Sequence, residues 1–415
     1  MRRKLQSFRY MYGTTLLLLF LFKFIGLAPF TVKNQENSKG KWVENTVHFT
    51  VTKIGILYNL LLSCLVVALN YITIPSLYTV EYANKSSITT LIEVFQGISG
   101  SLVIFFTSLH YCTNQSALVR IGNDLIETRT SLRRIQKPVD EKKVFRLFLL
   151  AHLLNFILLI SVWITEELAF HSAFILWLVD IIPTAFVSLL YMQYFSVLTW
   201  VDAVFSRINS TMQDFLKFGY DHNRPSVLHH TRSTHISPLT MQFLVQIRNL
   251  HDHLCDVSDK ISQFYAVPIL TGISFTFIAM LYNTYYLISS FLSTSKYINS
   301  ITVANTVFWL LVLLYPLNLL TNKTTSIISE VERTGGIVHL LLNRIFDREI
   351  KKELERFSLQ LLHRRIRFTA NGYIDLDNMF FHSMLSTVAM YMVVLIQFDV
   401  GSPSLEIPAC NCTQN

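Results

Sequence analysis

Charged residues and cysteines are both scarce in this sequence. Only 15% of its 415 residues are Asp, Glu, Lys or Arg, whereas 51% are hydrophobic, and the mean hydropathy is +0.40. This composition excludes an ordinary soluble protein and is typical of a polytopic membrane protein with one helical bundle. The five cysteines do not predict a disulfide scaffold, because Cys64 and Cys112 lie near or in apolar runs, and Cys410 and Cys412 are too close for an easy mutual bridge.

Motifs of the common enzyme classes are missing. The sequence has no phosphate-binding loop, no glycine-rich dinucleotide fingerprint, no zinc-protease helix and no serine-nucleophile elbow. We therefore expect neither enzyme activity nor a cofactor. His251, His253 and Cys255 come nearest to a metal cluster, but only His251 and Cys255 share a helix face, so no metal site is predicted.

Basic residues exceed acidic ones, and the formal net charge is +8. The Lys and Arg residues lie in the segments between apolar runs, where such residues determine topology and contact anionic lipid. Membrane lipid is therefore an expected partner, and nucleic acid is not.

Seven apolar runs are long enough to cross a bilayer as helices, since about 20 residues are needed. They cover roughly residues 48–73, 91–113, 144–165, 172–199, 263–292, 301–325 and 378–399. A further apolar stretch, Leu16 to Phe22, has basic residues on both sides, so we expect it to lie along the membrane or dip into it without crossing. The predicted fold is all-α with seven transmembrane helices.

These runs divide the chain into successive regions. The predicted organisation is an N-terminal segment (1–47), spans one to four (48–199), a loop with helical extensions (200–262) around a disordered insert (221–238), spans five and six (263–325), a helical segment (326–377), the seventh span (378–399) and a C-terminal tail (400–415). The insert is rich in His, Ser, Thr and Pro and lacks an apolar period, which is typical of disorder.

Alternate loops differ in charge, which predicts the orientation of the chain. The loops on the same side as the C-terminus carry only Lys85 and Lys296 of the 35 basic residues. The positive-inside rule therefore places the N-terminus and the long loops in the cytosol, and the C-terminus outside. G-protein-coupled receptors have the opposite orientation.

Glycosylation sequons can be assigned to the two sides on the same basis. Asn84 and Asn411 would lie outside and accept a glycan. The sequons at Asn114, Asn209 and Asn322 would be cytosolic and unmodified.

The loops after span four and before span five carry helical patterns of their own. Their apolar residues recur at steps of three and four. These residues are Val204, Phe205, Ile208, Met212 and Phe215 after span four, and Leu244, Ile247, Leu250, Leu254, Val257 and Ile261 before span five. The loop after span six adds Leu354, Phe357, Leu361 and His363. We expect these segments to pack into a cytosolic platform that joins subunits.

Polar and aromatic residues occur at similar depths in spans three to six. Asp180 lies inside span four, and an ionisable group in a bilayer is costly unless it is paired or hydrated. Neighbouring spans bring Trp163, Tyr282, Asn283, Tyr286, Asn305 and Trp309 to a similar depth. Aromatic side chains with a few polar groups suit a pocket for a small organic ligand. Interfacial aromatic belts and ordinary bundle packing account for the aromatic residues equally well.

The last span, Phe380 to Phe398, has an uneven surface. Small, flexible or polar residues recur there at steps of three and four and so share one face. They are Ser383, Thr387, Met390, Val394 and Gln397. A face that ends in Gln397 is expected to contact protein or water and not acyl chains. Two interpretations fit this pattern: a helix packed against its neighbours through small residues, or a helix that lines a pore.

The end of this span resembles the C-terminal signature of insect gustatory receptors, in which Thr-Tyr and five hydrophobic residues precede Gln-Phe. The matching stretch is Tyr391-Met392-Val393-Val394-Leu395-Ile396-Gln397-Phe398. Met390 stands in place of the family's threonine, and Asp399 follows Phe398. The approach to the span is also similar to the family, with Tyr373 in place of its usual Phe, at positions Phe368, Ala370, Gly372, Tyr373, Asp375, Leu376 and Asp377.

The resemblance implies a gustatory receptor, a tastant-gated and poorly selective cation channel in the plasma membrane of gustatory neurons. Such receptors form homo- or hetero-tetramers around the seventh span. The resemblance also implies that Val394, Gln397 and Phe398 form the pore and gate, that Tyr391 flanks them, and that the tastant binds among spans two to six. A secondary transporter or a G-protein-coupled receptor is the alternative, although the chain shows neither an inverted repeat nor paired Gly/Pro breaks.

Overall fold

The computed structural model describes residues 18–35, 46–76, 87–135, 138–170, 177–221, 238–292, 300–345 and 347–401. Within them the elements, in chain order, are α1 (18–25), β1 (Phe30–Gln35), β2 (Thr46–Val51), α2 (Lys53–Ser76), α3 (Ser87–Thr113), α4 (Gln115–Arg134), α5 (Glu141–Phe170), a π-helical turn (Trp177–Ile181), α6 (Ile182–Asp221), α7 (Pro238–Leu292), α8 (Ser300–Arg344), α9 (Arg348–His363), β3 (Thr369–Ala370), β4 (Ile374–Asp375) and α10 (Asn378–Gly401).

Seven helices in the described part of the chain are long and apolar enough to cross a membrane, namely α2, α3, α5, α6, α7, α8 and α10. They confirm the predicted all-α fold with seven spans. The orientation of the termini stays a prediction. Residues 222–237 of the expected insert, residues 402–415 of the expected tail, and the sequons at Asn84 and Asn411 lie outside the described residues.

The predicted start of the first span at residue 48 is wrong, because the chain forms strand β2 there and helix α2 begins at Lys53. β2 pairs antiparallel with β1, and the ring of Phe30 meets the ring of Phe49 edge-on at a centroid distance of 5.1 Å. Asn123 of α4 also bonds the Phe49 backbone, as its Oδ1 accepts from Phe49 N at 3.0 Å. The strand thus depends on partners distant in sequence, which a local apolar run cannot reveal.

The segment after α1 enters the helical bundle. Leu27 is fully buried, and its carbonyl oxygen accepts a hydrogen bond from Nε2 of Gln193 on α6 at 2.7 Å. The Gly26 carbonyl oxygen accepts from Nδ2 of Asn59 on α2 at 2.7 Å. The stretch is therefore anchored between spans. Whether it lies along a bilayer or dips into one stays a prediction.

The helices α6, α7 and α8 are long because their apolar faces continue past the membrane-spanning length. Every residue of the predicted α7 stripe is buried, from Leu244 to Ile261. Leu354 and Phe357 of α9 are buried as well. The packed platform therefore exists within a single chain, whereas its role in joining subunits stays a prediction. His363 was expected in the platform but is exposed at the end of α9.

Hydrogen bonds to α8 fix the start of α10. Asp377 caps the helix, because its Oδ1 accepts from Phe380 N at 2.7 Å. The Asn378 backbone N–H donates to Oγ1 of Thr325 on α8 at 3.2 Å, and the neighbouring Thr324 hydroxyl donates to the Leu376 carbonyl. The residues just before the seventh span thus hold this helix at a defined point of the bundle.

Candidate functional site

Polar side chains from several spans meet at the end of the bundle that lies away from α9. Glu166, near the end of α5, is one centre of this group. Its Oε2 accepts from Nδ2 of Asn305 at 2.7 Å and from Nε1 of Trp309 at 3.0 Å, both on α8. Thr165 extends the network by donating its hydroxyl to Oδ1 of Asn305 at 2.7 Å. These bonds tie α5 to the start of α8.

Asp180, in the π-helical turn before α6, is the second centre. Its Oδ1 accepts from Nε2 of Gln96 on α3 at 3.2 Å. On α3 as well, Glu93 accepts at Oε1 from the hydroxyl of Tyr282 on α7 at 2.8 Å. The side chains of Glu93 and Glu166 both lie close enough to Asp180 to interact with it electrostatically, so the two centres are close in space.

We name this group the acidic aromatic cluster. It comprises Glu93, Gln96, Glu166, Asp180, Tyr282, Tyr286, Asn305 and Trp309. The rings of Tyr282 and Tyr286 stack within it, with centroids 6.2 Å apart. It therefore combines three carboxyl groups with aromatic surface at one level of the bundle.

Close approach of α3 to the turn and to α6 makes this arrangement possible. A Cβ at Gly97 would lie 2.7 Å from a methyl group of Val179, and a Cβ at Gly100 would lie 2.7 Å from Cβ of Pro183. The missing side chains of the two glycines thus let Gln96 reach Asp180. The π-helical turn adds to this, because such turns change the direction of side chains and are frequent at functional sites.

Five of the seven residues predicted to line a ligand pocket belong to the cluster, namely Asp180, Tyr282, Tyr286, Asn305 and Trp309. Asn283 is buried, but its Nδ2 donates to the Ala279 carbonyl oxygen of its own helix at 2.8 Å. Trp163 is the most exposed of the seven, with 46% of its surface accessible. The Asn283 side chain thus bonds within its own helix, and much of the Trp163 side chain faces the surface.

Sequence reasoning missed Glu93, Gln96 and Glu166. Glu166 was assigned to a loop because span three was expected to end at residue 165, whereas α5 continues to Phe170. Glu93 is the single acidic residue of span two, and this was the signal that could have found it. A lone carboxyl group in an apolar run calls for a partner at the same depth.

Three of the four predicted pore residues lie on the outer surface of the chain. α10 packs against α7 and α8 through Met384, Val388 and Met392, which are buried. Tyr391, Val394 and Gln397 are exposed, with 46% of Tyr391 and 39% of Val394 accessible. Phe398 belongs to α10, but its side chain lies outside the part that the structure describes.

The geometry of the cluster suits binding. Its carboxyl groups contact hydroxyl, amide and indole donors, which orient a carboxylate but do not form a nucleophile and base pair. Within the described residues, no group of three His, Cys, Asp or Glu side chains is arranged to hold a metal ion. Aromatic surface with a few directed polar groups is typical of a site for a small organic molecule.

Comparison with solved structures shows the same fold elsewhere. The insect olfactory receptor OR5 from Machilis hrabei superposes with a TM-score of 0.62 at 13% identity, and the match covers 94% of this chain and 100% of that receptor. The same receptor in complex with eugenol gives a TM-score of 0.58 at 14% identity, with the same coverage. At this identity the likeness shows the fold alone.

Sequence comparison finds relatives among curated proteins. Drosophila melanogaster gustatory receptor 28b is 28% identical over 167 residues, which are 39% of this chain and 36% of that protein. Drosophila melanogaster gustatory receptor 28a is 24% identical over 277 residues, 59% of either chain. The chain therefore spans less than two thirds of the length of these relatives. The family described as 7tm Chemosensory receptor matches residues 15–401. Because this match covers most of the sequence, the chain belongs to the 7tm chemosensory receptor family.

Proposed function

We propose that this chain is a subunit of a gustatory receptor, a tastant-gated and poorly selective cation channel in the plasma membrane of gustatory neurons. The observation that carries the proposal is the outward face of α10. Tyr391, Val394 and Gln397 are exposed there, although the helix is apolar enough to cross a membrane. A glutamine on the lipid-facing surface of a span would be costly, so this face needs a protein or water partner.

A tetramer supplies that partner. Four copies with α10 at the centre turn the exposed stripe toward a shared axis, where Gln397 and Val394 line the path and Phe398 follows Gln397 in the helix. Hydrophobic rings close such a path by excluding water, and polar side chains favour a hydrated, conducting state. The tetramer is homomeric or contains related subunits.

The acidic aromatic cluster is the proposed tastant site. It lies toward the end of the bundle that Gln397 also approaches, since Glu166, Tyr282 and Gln397 are each near the end of their helices. α7 contributes Tyr282 and also packs against α10, where the rings of Phe277 and Tyr391 meet edge-on at 6.2 Å. A ligand that moves α7 therefore has a direct mechanical route to the pore helix.

Cysteine accessibility under whole-cell recording tests the channel directly. In cells expressing Gln397→Cys, tastant-evoked cation current should fall on treatment with a positively charged methanethiosulfonate reagent. Leu395→Cys is the matched control, because Leu395 is partly buried against the bundle. Equal effects on both variants would contradict the pore assignment. Tastant-dependent uptake without channel openings would favour a transporter.

A further inference from the structure

We propose that the acidic aromatic cluster is specific for organic cations, meaning ligands with an ammonium group on an aromatic or aliphatic body. This inference rests on the proposed function only in taking the cluster as the ligand site. It adds the chemical class of the ligand, which the family does not determine.

The carboxyl groups of the cluster favour a positively charged ligand. Asn305 and Trp309 donate to Glu166, and Gln96 donates to Asp180, so the described residues supply these two carboxyl groups with neutral donors. In the part of the chain that the structure describes, the acidic side chains of Glu93 and Glu166 lie close enough to Asp180 to interact with it electrostatically. Like charges in a medium of low dielectric constant repel strongly, and a cation placed between them removes that repulsion.

Gln96 provides an independent argument. Only 2% of this residue is exposed, and its Nε2 is directed at Asp180. Its Oε1 is buried and accepts no hydrogen bond from the described residues. A buried amide oxygen without a donor is unfavourable, so the site lacks one N–H or O–H group at this point. An ammonium group supplies that donor and the positive charge together.

Aromatic side chains favour an organic cation over an inorganic one. The stacked rings of Tyr282 and Tyr286 offer flat surface next to the carboxyl groups. Such rings attract ammonium groups through their faces and pack against an apolar body. Within the described residues the acidic side chains are not arranged as a metal-ligand set. A molecule with an ammonium group and an apolar body can bind both the carboxyl groups and the aromatic rings of the cluster.

The test is a binding measurement on the purified full-length receptor in detergent. The probe is tritiated benzylammonium at pH 7, whose protonated amine carries both the positive charge and the N–H donors, and the competitor is ethylbenzene, its uncharged isostere. We expect saturable binding of the cation and at least tenfold weaker competition by the isostere. Calcium and sodium chloride serve as inorganic competitors at matched ionic strength.

Isosteric variants locate the site. Glu166→Gln and Asp180→Asn should each weaken binding of benzylammonium by about tenfold or more, because each removes a half-buried charge partner of the ammonium group. Glu167→Gln is the matched control, since Glu167 is the next residue of α5 and is exposed. Glu167→Gln should bind the cation with the same affinity as the parent. Size-exclusion profiles show whether each variant is folded.

Several results would overturn the inference. Equal competition by ethylbenzene shows that charge is not recognised, and displacement by calcium alone shows an inorganic site. Absence of saturable binding of both benzylammonium and the smaller methylammonium also contradicts it, and these measurements on the parent need no variant to fold. The channel proposal fails separately: binding without current overturns the channel, whereas currents evoked by neutral ligands without cation binding overturn only the inference.

Discussion

Asn209 of α6 and Thr334 of α8 share a buried hydrogen bond, in which the threonine hydroxyl donates to the amide oxygen at 2.7 Å. The Asn209 amide also donates to the Glu330 carbonyl oxygen at 2.7 Å and to its side chain at 2.8 Å. Asn209 is fully buried. Although Asn209 begins a glycosylation sequon, its side-chain amide is buried in the folded chain and is not accessible for attachment of a glycan.

Asn209→Leu should destabilise the protein by about 1–3 kcal/mol, because it removes the hydrogen bonds that Asn209 makes with Thr334 and Glu330. Asn322→Leu is the control, since Asn322 also begins a sequon but is exposed and bonds Asn318 at the surface. Thermal unfolding followed by fluorescence-detected size-exclusion chromatography compares the two. Equal melting temperatures would show that the network does not support the bundle.

The length and packing of the spans could be predicted from the sequence. The period of the stripe around Leu250 and Leu254 showed that α7 continues past the membrane, and both residues are buried. The β1–β2 hairpin could not be predicted, because its pairing joins segments separated by residues 36–45, and no local period marks it. Local patterns determine helices, whereas pairing across a loop depends on contacts that appear only in the fold.

Leu254→Asp and Leu250→Asp should each impair assembly of the receptor. Each buries an unpaired carboxylate in the platform, which costs several kcal/mol in every subunit. Gln246→Asp adds the same charge to the same helix at an exposed position, and it should leave assembly unchanged. The measurement is the yield of the oligomer on a native gel in detergent. Parent-like yields for both leucine variants would contradict the platform's role.

Arg248→Met should destabilise the contact between α7 and α9. Arg248 forms an ion pair with Glu353, whose side chain is only 4% exposed, and loss of one partner of a buried pair costs about 3–5 kcal/mol. The remaining contact of Glu353 with Arg356, at 3.5 Å, places the expected loss at the lower end of that range.

The ion pair between Lys352 and Glu349 on α9 provides the control. Its Nζ to Oε1 distance is 2.9 Å, and both side chains lie at the surface. Lys352→Met should change stability by less than about 1 kcal/mol. The measurement is the unfolding midpoint of Arg248→Met and of Lys352→Met in detergent, each compared with the parent. A loss as large for Lys352→Met as for Arg248→Met would mean that burial does not determine the strength of the pair.

Glycosylation tests the predicted orientation. Asn84 and Asn411 should carry glycans in cells that process them, because the charge distribution places both outside. Digestion with an endoglycosidase should shift the mass of the parent but not that of the double variant Asn84→Gln/Asn411→Gln. A shift that persists in the double variant would contradict the topology. A C-terminal epitope tag should be labelled on intact cells, which separates this chain from a G-protein-coupled receptor.

The sequence identified the ligand-site residues only in part. Asp180 stood out as an acidic residue in an apolar run, and the structure gives it a partner in Gln96. Glu166 was not identified because helix ends are the least certain feature of a sequence-based prediction, and the last turns of α5 carry it. α3 approaches Asp180 closely because Gly97 and Gly100 have no side chains. Their role depends on contacts with Val179 and Pro183, which are distant in sequence and leave no local pattern.

Phe398 is the proposed gate residue of the channel. In the proposed tetramer, four Phe398 side chains converge near the end of the pore and exclude water from a narrow path. Phe398→Ala removes most of that apolar bulk, so cations should leak through the channel without ligand. Gln397→Ala removes the polar group that hydrates the open path, so it should chiefly lower unitary conductance or the opening evoked by ligand.

Whole-cell and single-channel recording separate these outcomes, with surface expression measured for each variant. Ser386→Ala serves as a control, because the Ser386 hydroxyl bonds only its own helix, at His382, among the described residues, and it should behave as the parent. The two pore variants must differ in kind: leak for Phe398→Ala, and altered conductance or opening for Gln397→Ala. If both reach the surface and match the parent in ligand-free current, conductance and opening, α10 does not line the pore. The exposed face with Val394 and Gln397 then serves another contact between subunits.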